Sequence, residues 1–298
     1  MVSPAILIRA LRLPFITVSV IPFCFGSFAL PGHFNRLNFT LGLIAVTMTH
    51  LASNLLNDYA DSRSGADWYD RNFYGYFGGS KLIQNNILSE GFYLKSALAL
   101  IIVAFAAVLT LAFSLRNISV VALYLIILLL GISYSEKPFM LSYNGFGEAV
   151  VFVLFGPAVV MGGYFIQADV FPDMRSLFIS LPFGFLTAAV LFANEVPDFP
   201  EDIKARKLTL VSLVGPERSY ILYYGLIVLA FFSISIGVVF GYLSAYAFTA
   251  FLFIFIAMKS TKILKEYPHD KIRLIGSSKL TVLLHFLVSL TLVLSEII

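Results

Sequence analysis

The sequence predicts an all-α, polytopic membrane protein. Nine transmembrane helices are expected, arranged as two four-helix repeats plus a ninth helix around a central cavity. Three observations carry this. Of 298 residues, 59% are hydrophobic and 12% charged, where a soluble domain carries about 25% charged residues. Long stretches lack Asp, Glu, Lys and Arg altogether. One short polar pattern occurs twice, 137 residues apart.

With a mean hydropathy of +0.90, the chain has too much apolar surface for one aqueous core. Lipid is the better solvent, and a helix needs about 20 mostly apolar residues to cross it. The charge-free stretches, in order, are 13–35, 37–57, 96–115, 117–135, 149–168, 176–194, 219–258 and 280–295. Seven are near the length of a single span. The stretch 219–258 would make about 60 Å of helix, so it reads as two crossings with a tight turn near Gly241 to Ser244.

Basic residues set the orientation. If the spans alternate, 17 of the 20 Lys and Arg residues fall on one side. The other side receives only Arg36, Arg116 and Arg175. The N-terminus and the long polar loops are therefore expected in the cytoplasm. The first apolar run reads as a span, not a cleavable leader. Cys24 is the sole cysteine, which excludes an intrachain disulfide; it reads as a small apolar residue of the first span.

The polar loops after the second and sixth spans open alike. One begins Asn57-Asp58-Tyr59-Ala60-Asp61, the other Asn194-Glu195-Val196-Pro197-Asp198. Four spans separate the two copies of N-[D/E]-x-x-D. This predicts repeat halves at about 10–140 and 145–260 and a ninth helix at about 279–297. No linker divides them, so residues 1–298 read as one domain. Internal repeats place substrate sites between the halves.

Asn54, Asn57, Asp58 and Asp61 stand three, four and seven residues apart, spacings that share a helix face. His50 continues that face into the membrane, about 16 Å deeper than Asp61 at 1.5 Å per residue. Asn194, Asp198 and Asp202 recur at four-residue intervals, with Pro197 and Pro200 expected to distort the helix. These are hard oxygen donors, the chemistry of Mg²⁺ held by a few carboxylates and substrate phosphate. Lys81, Lys137, Lys204, Arg206 and Lys207 are interleaved with them. That mixture suits a polyanion bridged by metal and is a poor nucleic-acid surface. A single acid at a span end commonly serves interfacial solvation; two matched clusters argue for a site. An intramembrane His is a functional candidate, with a structural hydrogen bond as the alternative for His50. The 30 Phe, 15 Tyr and one Trp are mostly lipid-facing or core, but a few ring faces in a cavity could hold a cation.

These motifs resemble the UbiA superfamily of intramembrane prenyltransferases, over most of the chain. The details are most similar to its 1,4-dihydroxy-2-naphthoate prenyltransferase branch. The first motif of that branch, N-x-x-N-D-Y-x-D-x-x-x-G-x-D, is met by Asn54, Asn57, Asp58, Tyr59, Asp61, Gly65 and Asp67. Gly78-Gly79-Ser80-Lys81, "YSEKPFMLSYNGFGE" (134–148) and "NEVPDFPEDIKARKLTL" (194–210) add to the likeness. The general superfamily spacing would put an acid at position 65, where this chain has Gly65 and the acid follows at Asp67.

The resemblance implies transfer of a prenyl group from an isoprenyl diphosphate to an aromatic acceptor within the membrane. Two Mg²⁺ ions would bridge the diphosphate. Their expected ligands are Asn57, Asp58, Asp61 and Asp67 in the first motif and Asn194, Asp198 and Asp202 in the second. Lys81, Lys137, Lys207 and Asn54 would bind diphosphate. Asp61, Asp198, Lys137, Tyr134 and Tyr143 would form the catalytic set, the tyrosines positioning the diphosphate or the allylic carbon. His50 is expected at the acceptor. A quinone precursor fits the motif details; 4-hydroxybenzoate or a glycerol-phosphate lipid would use the same chemistry. A transporter would instead place ion ligands near the bilayer midplane, where only His50 and His285 are strongly polar. A non-catalytic scaffold would bind no Mg²⁺–diphosphate.

Overall fold

The computed structural model describes residues 3–30, 32 and 34–297. Short α1 (Pro4–Ala10) starts at Ser3, whose side chain accepts from the Ile6 N–H. The chain breaks at Arg12, in a left-handed conformation, and resumes towards α2 (Thr17–Phe28), bent 53° from α1. Next come α3 (Arg36–Ser64), α4 (Glu90–Leu115) and α5 (Ser119–Ser135). Asn35 and Ser89 cap α3 and α4 by accepting backbone N–H bonds, as N-caps do. α6 (Gly147–Val153) passes through a π turn at Leu154–Ala158 into α7 (Val159–Ala168). Pro157 lies in that turn, a common place for a helix to widen near a site.

α8 (Met174–Lys204) is followed by the short α9 (Leu210–Val214) and by α10 (Ser219–Val239). A 3₁₀ stretch at Ala245–Phe253 leads into α11 (Ile254–Glu266), and α12 (Lys271–Ile297) ends the described chain. Among the described residues, seven helical segments are long and apolar enough to cross a membrane, eight with the bent α1–α2 pair. α5 is apolar but only 17 residues long. The long apolar stretch 219–258 is indeed interrupted: Gly241 has φ +70° and Ser244 caps the helical segment that follows.

The helix-face spacing of both acidic motifs is met, although they open the polar loops of the sequence. α3 runs on to Ser64, where Gly65 at φ +90° ends it, so Asn57, Asp58 and Asp61 ride on a helix. α8 likewise continues through Pro197 and Pro200 to Lys204. Each proline removes one backbone hydrogen bond. Packing compensates: Phe183, Leu186, Ala189, Phe192, Ala193 and Val196 of α8 are buried against residues of α10 and α12. In lipid such contacts act by close fit, since apolar surface gains little from leaving hydrocarbon.

One crossing positions α8. A Cβ on Gly156 would stand 2.7 Å from the Gly184 Cα, and one on Gly184 would meet the Phe152 ring at 2.7 Å. Only glycine admits this approach of the π turn to α8.

Candidate active site

A cavity of about 540 Å³ runs down between α2, α3, α5, the α6–α7 pair and α8. Its upper end is polar, lined by Asn54, Asn57, Asp61, Asp67, Asp70, Lys81, Tyr134, Asn194, Glu195, Asp198, Glu201, Asp202, Lys207 and Lys271. Its body is apolar, walled by Val46, Val108, Leu111, Leu123, Phe155, Met161 and Phe165 and reaching Gly42. Gly42 lies 19 residues before Asp61 on α3, about 28 Å along a regular helix. A charged head at one end and a long apolar tail at the other would both be matched.

The segment Gly78–Lys81 straps the two motifs together. The Gly78 N–H donates to Asp198 Oδ2 at 2.9 Å, and the Ser80 N–H to Asp58 Oδ2 at 3.2 Å. Lys81 Nζ donates to Asp67 at both Oδ1 (2.7 Å) and the carbonyl (3.1 Å). Gly78 and Gly79 both have φ +74°, a region costly to other residues. Gly79 also faces the acids: a Cβ there would lie 2.8 Å from Asp67 Oδ2 and 3.3 Å from Asp58 Oδ1. Arg9 holds the strap from outside, its Nε donating to the Ser80 carbonyl at 2.6 Å. Arg12 pairs with Asp58.

Tyr143 steadies the other side. Its hydroxyl donates to Asp61 Oδ1 at 2.6 Å, with Ser64 Oγ also at 2.6 Å. The Leu208 N–H donates to the Tyr143 carbonyl at 3.0 Å. That bond sets Lys207 beside the ring, 5.4 Å from its centroid, and 3.6 Å from Asp202 Oδ1. Burial would lower the pKa of Lys207, but Asp202 and Asp61 outweigh it and hold the ammonium charged well above its usual range. Asn57 Nδ2 donates to Ser135 Oγ and Asn54 Nδ2 to the Leu11 carbonyl, each at 3.0 Å. Deeper in, His50 Nδ1 is 2.7 Å from Ser19 Oγ, and Phe155 meets the imidazole edge-to-face at 5.2 Å.

Most of the residues expected from the sequence thus face one cavity. Three do not line it. Asp58 is buried behind the wall, bonded to the strap and paired with Arg12, which does line the cavity. Tyr143 reaches the site through Asp61. Lys137 is exposed and outside the lining. Sequence reasoning missed Arg12, Asp70, Glu201 and Lys271. Lys271 Nζ lies 2.9 Å from Asp70 Oδ2 and 2.8 Å from Glu201 Oε2, joining the segment beyond the first motif to the end of the second. Burial opposes the Asp70 charge, but the bonds from Lys271, Asn72 and Tyr74 prevail and lower its pKa to about 2. The basic excess marked the side on which Arg12 and Lys271 lie; nothing in their spacing gave their partners.

The donors present fit a divalent cation. Asp67 Oδ2, Asn194 Oδ1, Glu195 Oε2 and Asp202 Oδ2 are buried and without hydrogen-bond partners, all in cavity-lining residues. Hard oxygens left open at one cavity mouth suit Mg²⁺. No three of the described acidic, His or Cys side chains form a ready ion cage.

The UbiA prenyltransferase family pattern matches residues 19–287. The chain belongs to that family. Among curated UbiA relatives, UbiA prenyltransferase domain-containing protein 1 of Dictyostelium discoideum is 27% identical over 72% of this chain and 66% of its own length. The 1,4-dihydroxy-2-naphthoate octaprenyltransferase of Bacillus subtilis is 28% identical over 72% and 67%. The enzyme of that name from Mycobacterium tuberculosis is 41% identical, over 32% of each chain. The chain thus spans about two thirds or less of the first of these relatives. Solved UbiA folds agree throughout: a homologue from Aeropyrum pernix K1 has a TM-score of 0.69, 16% identity, and coverage of 93% and 97%. A homologue from Archaeoglobus fulgidus, bound to GPP and Mg²⁺, has a TM-score of 0.59, 14% identity, and coverage of 96% of this chain and 99% of its own.

Proposed function

We propose that this protein transfers a prenyl group from an allylic polyprenyl diphosphate to an aromatic acceptor, a quinone precursor such as 1,4-dihydroxy-2-naphthoate. One observation carries the reading: two acid-bearing helices bring their motifs to the polar mouth of a single long apolar cavity. The family and the names of its curated members support the acceptor class.

In this reading Asn57, Asp61, Asp67, Asn194, Asp198 and Asp202 hold two Mg²⁺ ions, with Asp58 behind them. Bound there, the metal would neutralise diphosphate charge as the C–O bond breaks. Lys81 and Lys207 add fixed positive charge where the leaving group gains it. Lys81 must exchange its contact with Asp67 for phosphate. Asn54 borders the diphosphate, and Tyr134, whose ring lines the cavity, faces the allylic carbon. Tyr143 positions Asp61. Lys137 lies outside the cavity, where it meets diphosphate arriving from solvent. The electron pair of the C–O bond leaves with diphosphate. An electron-rich ring carbon attacks the allylic cation and then sheds its own substituent, a proton in the simplest case. Apolar walls keep water away. His50 faces the acceptor below the diphosphate.

The finer architecture belongs to the same reading: nine crossings, two repeats of four, and a cytoplasmic N-terminus and cavity mouth. The decisive experiment incubates purified protein and Mg²⁺ with one allylic diphosphate and a panel of acceptors in detergent, with products identified by mass. Product without a transmembrane gradient separates an enzyme from a carrier. Asp61→Ala and Asp198→Ala should each abolish turnover. Near wild-type rates for either at saturating Mg²⁺ would remove the metal assignment.

A further inference from the structure

We infer that Lys271, the first residue of α12, is a positioning residue for the metal–diphosphate site: by holding Asp70 and Glu201 together it sets the separation of Asp67 from Asp198. The purpose of that site rests on the prenyl-transfer reading above. The brace itself stands on geometry.

Lys271 Nζ donates to Asp70 Oδ2 at 2.9 Å and to Glu201 Oε2 at 2.8 Å. Two of its three hydrogens are thus spent on acids from different elements. Each acid lies three residues beyond an expected metal ligand, Asp70 after Asp67 and Glu201 after Asp198. A surface ion pair holds little. Here the three side chains are only 14–22% exposed, so salt screens them less. Without the ammonium, Asp70 and Glu201 would face each other as like charges and drive the segment off α8.

The brace is anchored at both ends. α8 and α12 run antiparallel and are bonded twice, through Glu201 and Lys271 and through Thr187 Oγ1 and His285 Nε2, 3.0 Å apart. The two bonds stand 14 residues apart on each helix, about 21 Å of regular helix, so they are in register. Between them, Ala189 and Val196 of α8 and Leu274 and Leu284 of α12 share one buried core. On the other side, Asp70 accepts from the Asn72 N–H and the Tyr74 hydroxyl, each at 2.9 Å. Tyr74 stacks on Phe77 at 4.8 Å. The next residue is Gly78, whose N–H reaches Asp198. The hold of Lys271 on Asp70 is therefore carried to the strap. α12, which carries neither acidic motif, thus aligns the two that do.

The test is the distance between nitroxide labels at Arg71→Cys and Ile203→Cys, two exposed positions near the brace. It is read by electron–electron double resonance on the metal-free full chain in detergent, in a Cys24→Ser background. One narrow distance is expected. Lys271→Met and Glu201→Leu should each broaden it, and Lys271→Arg should keep it narrow. A distribution left narrow by both Lys271→Met and Glu201→Leu would overturn the inference. Calorimetry then reads the affinity for Mg²⁺ with inorganic pyrophosphate. Lys271→Met and Glu201→Leu should each lose roughly tenfold, about the worth of a hydrogen bond to a charged group, and Lys271→Arg should retain it. Glu201→Leu removes an anion, so loss of positive charge cannot explain a weaker site there; unchanged affinity in that variant would also overturn the brace. In turnover the acceptor KM should keep its wild-type value. A raised acceptor KM with unchanged pyrophosphate affinity would assign Lys271 to the acceptor instead. If no aromatic acceptor is prenylated at all, the function has failed, and the distance distributions still decide the brace.

Discussion

Gly79→Ala tests the strap. Alanine in a left-handed conformation costs about 1–2 kcal/mol wherever it occurs. Gly65 supplies that cost alone, since at φ +90° its added Cβ would have nothing within 4 Å. At Gly79 the Cβ would also press on Asp67 Oδ2 at 2.8 Å and on Asp67 Oδ1 and Asp58 Oδ1 at 3.3 Å each. Overpacking of this kind adds about 1–3 kcal/mol. Gly79→Ala should therefore lose about 2–5 kcal/mol and Gly65→Ala about 1–2 kcal/mol. The two are compared by thermal unfolding in the same detergent, and by rate against Mg²⁺ concentration. Gly79→Ala should show the lower Tm and need more Mg²⁺ for half-maximal rate, because Asp67 must shift. Equal Tm losses would refute the placement of the strap against the carboxylates.

Burial first, and then the charge of Asp61, push Asp67 up to about 7 against the pull of Lys81. Its folded pKa stands above the ordinary 3.8, so its stabilising contribution is complete below that value and lost as pH rises through about 7. Thermal melts in chelator should show stability falling between about pH 4 and pH 7, with a shallower fall in Asp67→Asn; an unchanged slope would count against it. Cysteines placed at Ser64 and Ala205, in a Cys24→Ser background, should resist an impermeant reagent on intact cells; labelling at both would reverse the topology. Ile126 lines the cavity yet is 62% exposed, so Ile126→Trp should impair long-chain donors more than dimethylallyl diphosphate. Equal impairment would mean that the tail does not pass there.

Charge-free stretches located the helices because crossing lipid demands an uninterrupted apolar run. Their ends were less legible. α3 and α8 outrun their apolar stretches, since a helix leaving the bilayer can continue on polar residues, and α8 does so through Pro197 and Pro200. The paired acids were legible because helical spacing and repetition reinforce each other. Arg12 and Lys271 were not, because their partners Asp58, Asp70 and Glu201 are distant in the chain. Lys137 entered as a loop base and through the resemblance, yet the turn after α5 leaves it exposed.

The glycine crossing of the π turn on α8 has a mechanical side. Asp198 lies 14 residues beyond Gly184, about 21 Å along the same helix. Gly184 is then a fulcrum and the acid-bearing end a lever arm. A methyl group added at Gly184 must part the helices by the width of a Phe152 contact, and the tilt is magnified at the tip. Misalignment of the two acid clusters can thus be produced from deep within the bilayer, by a substitution that touches neither cluster.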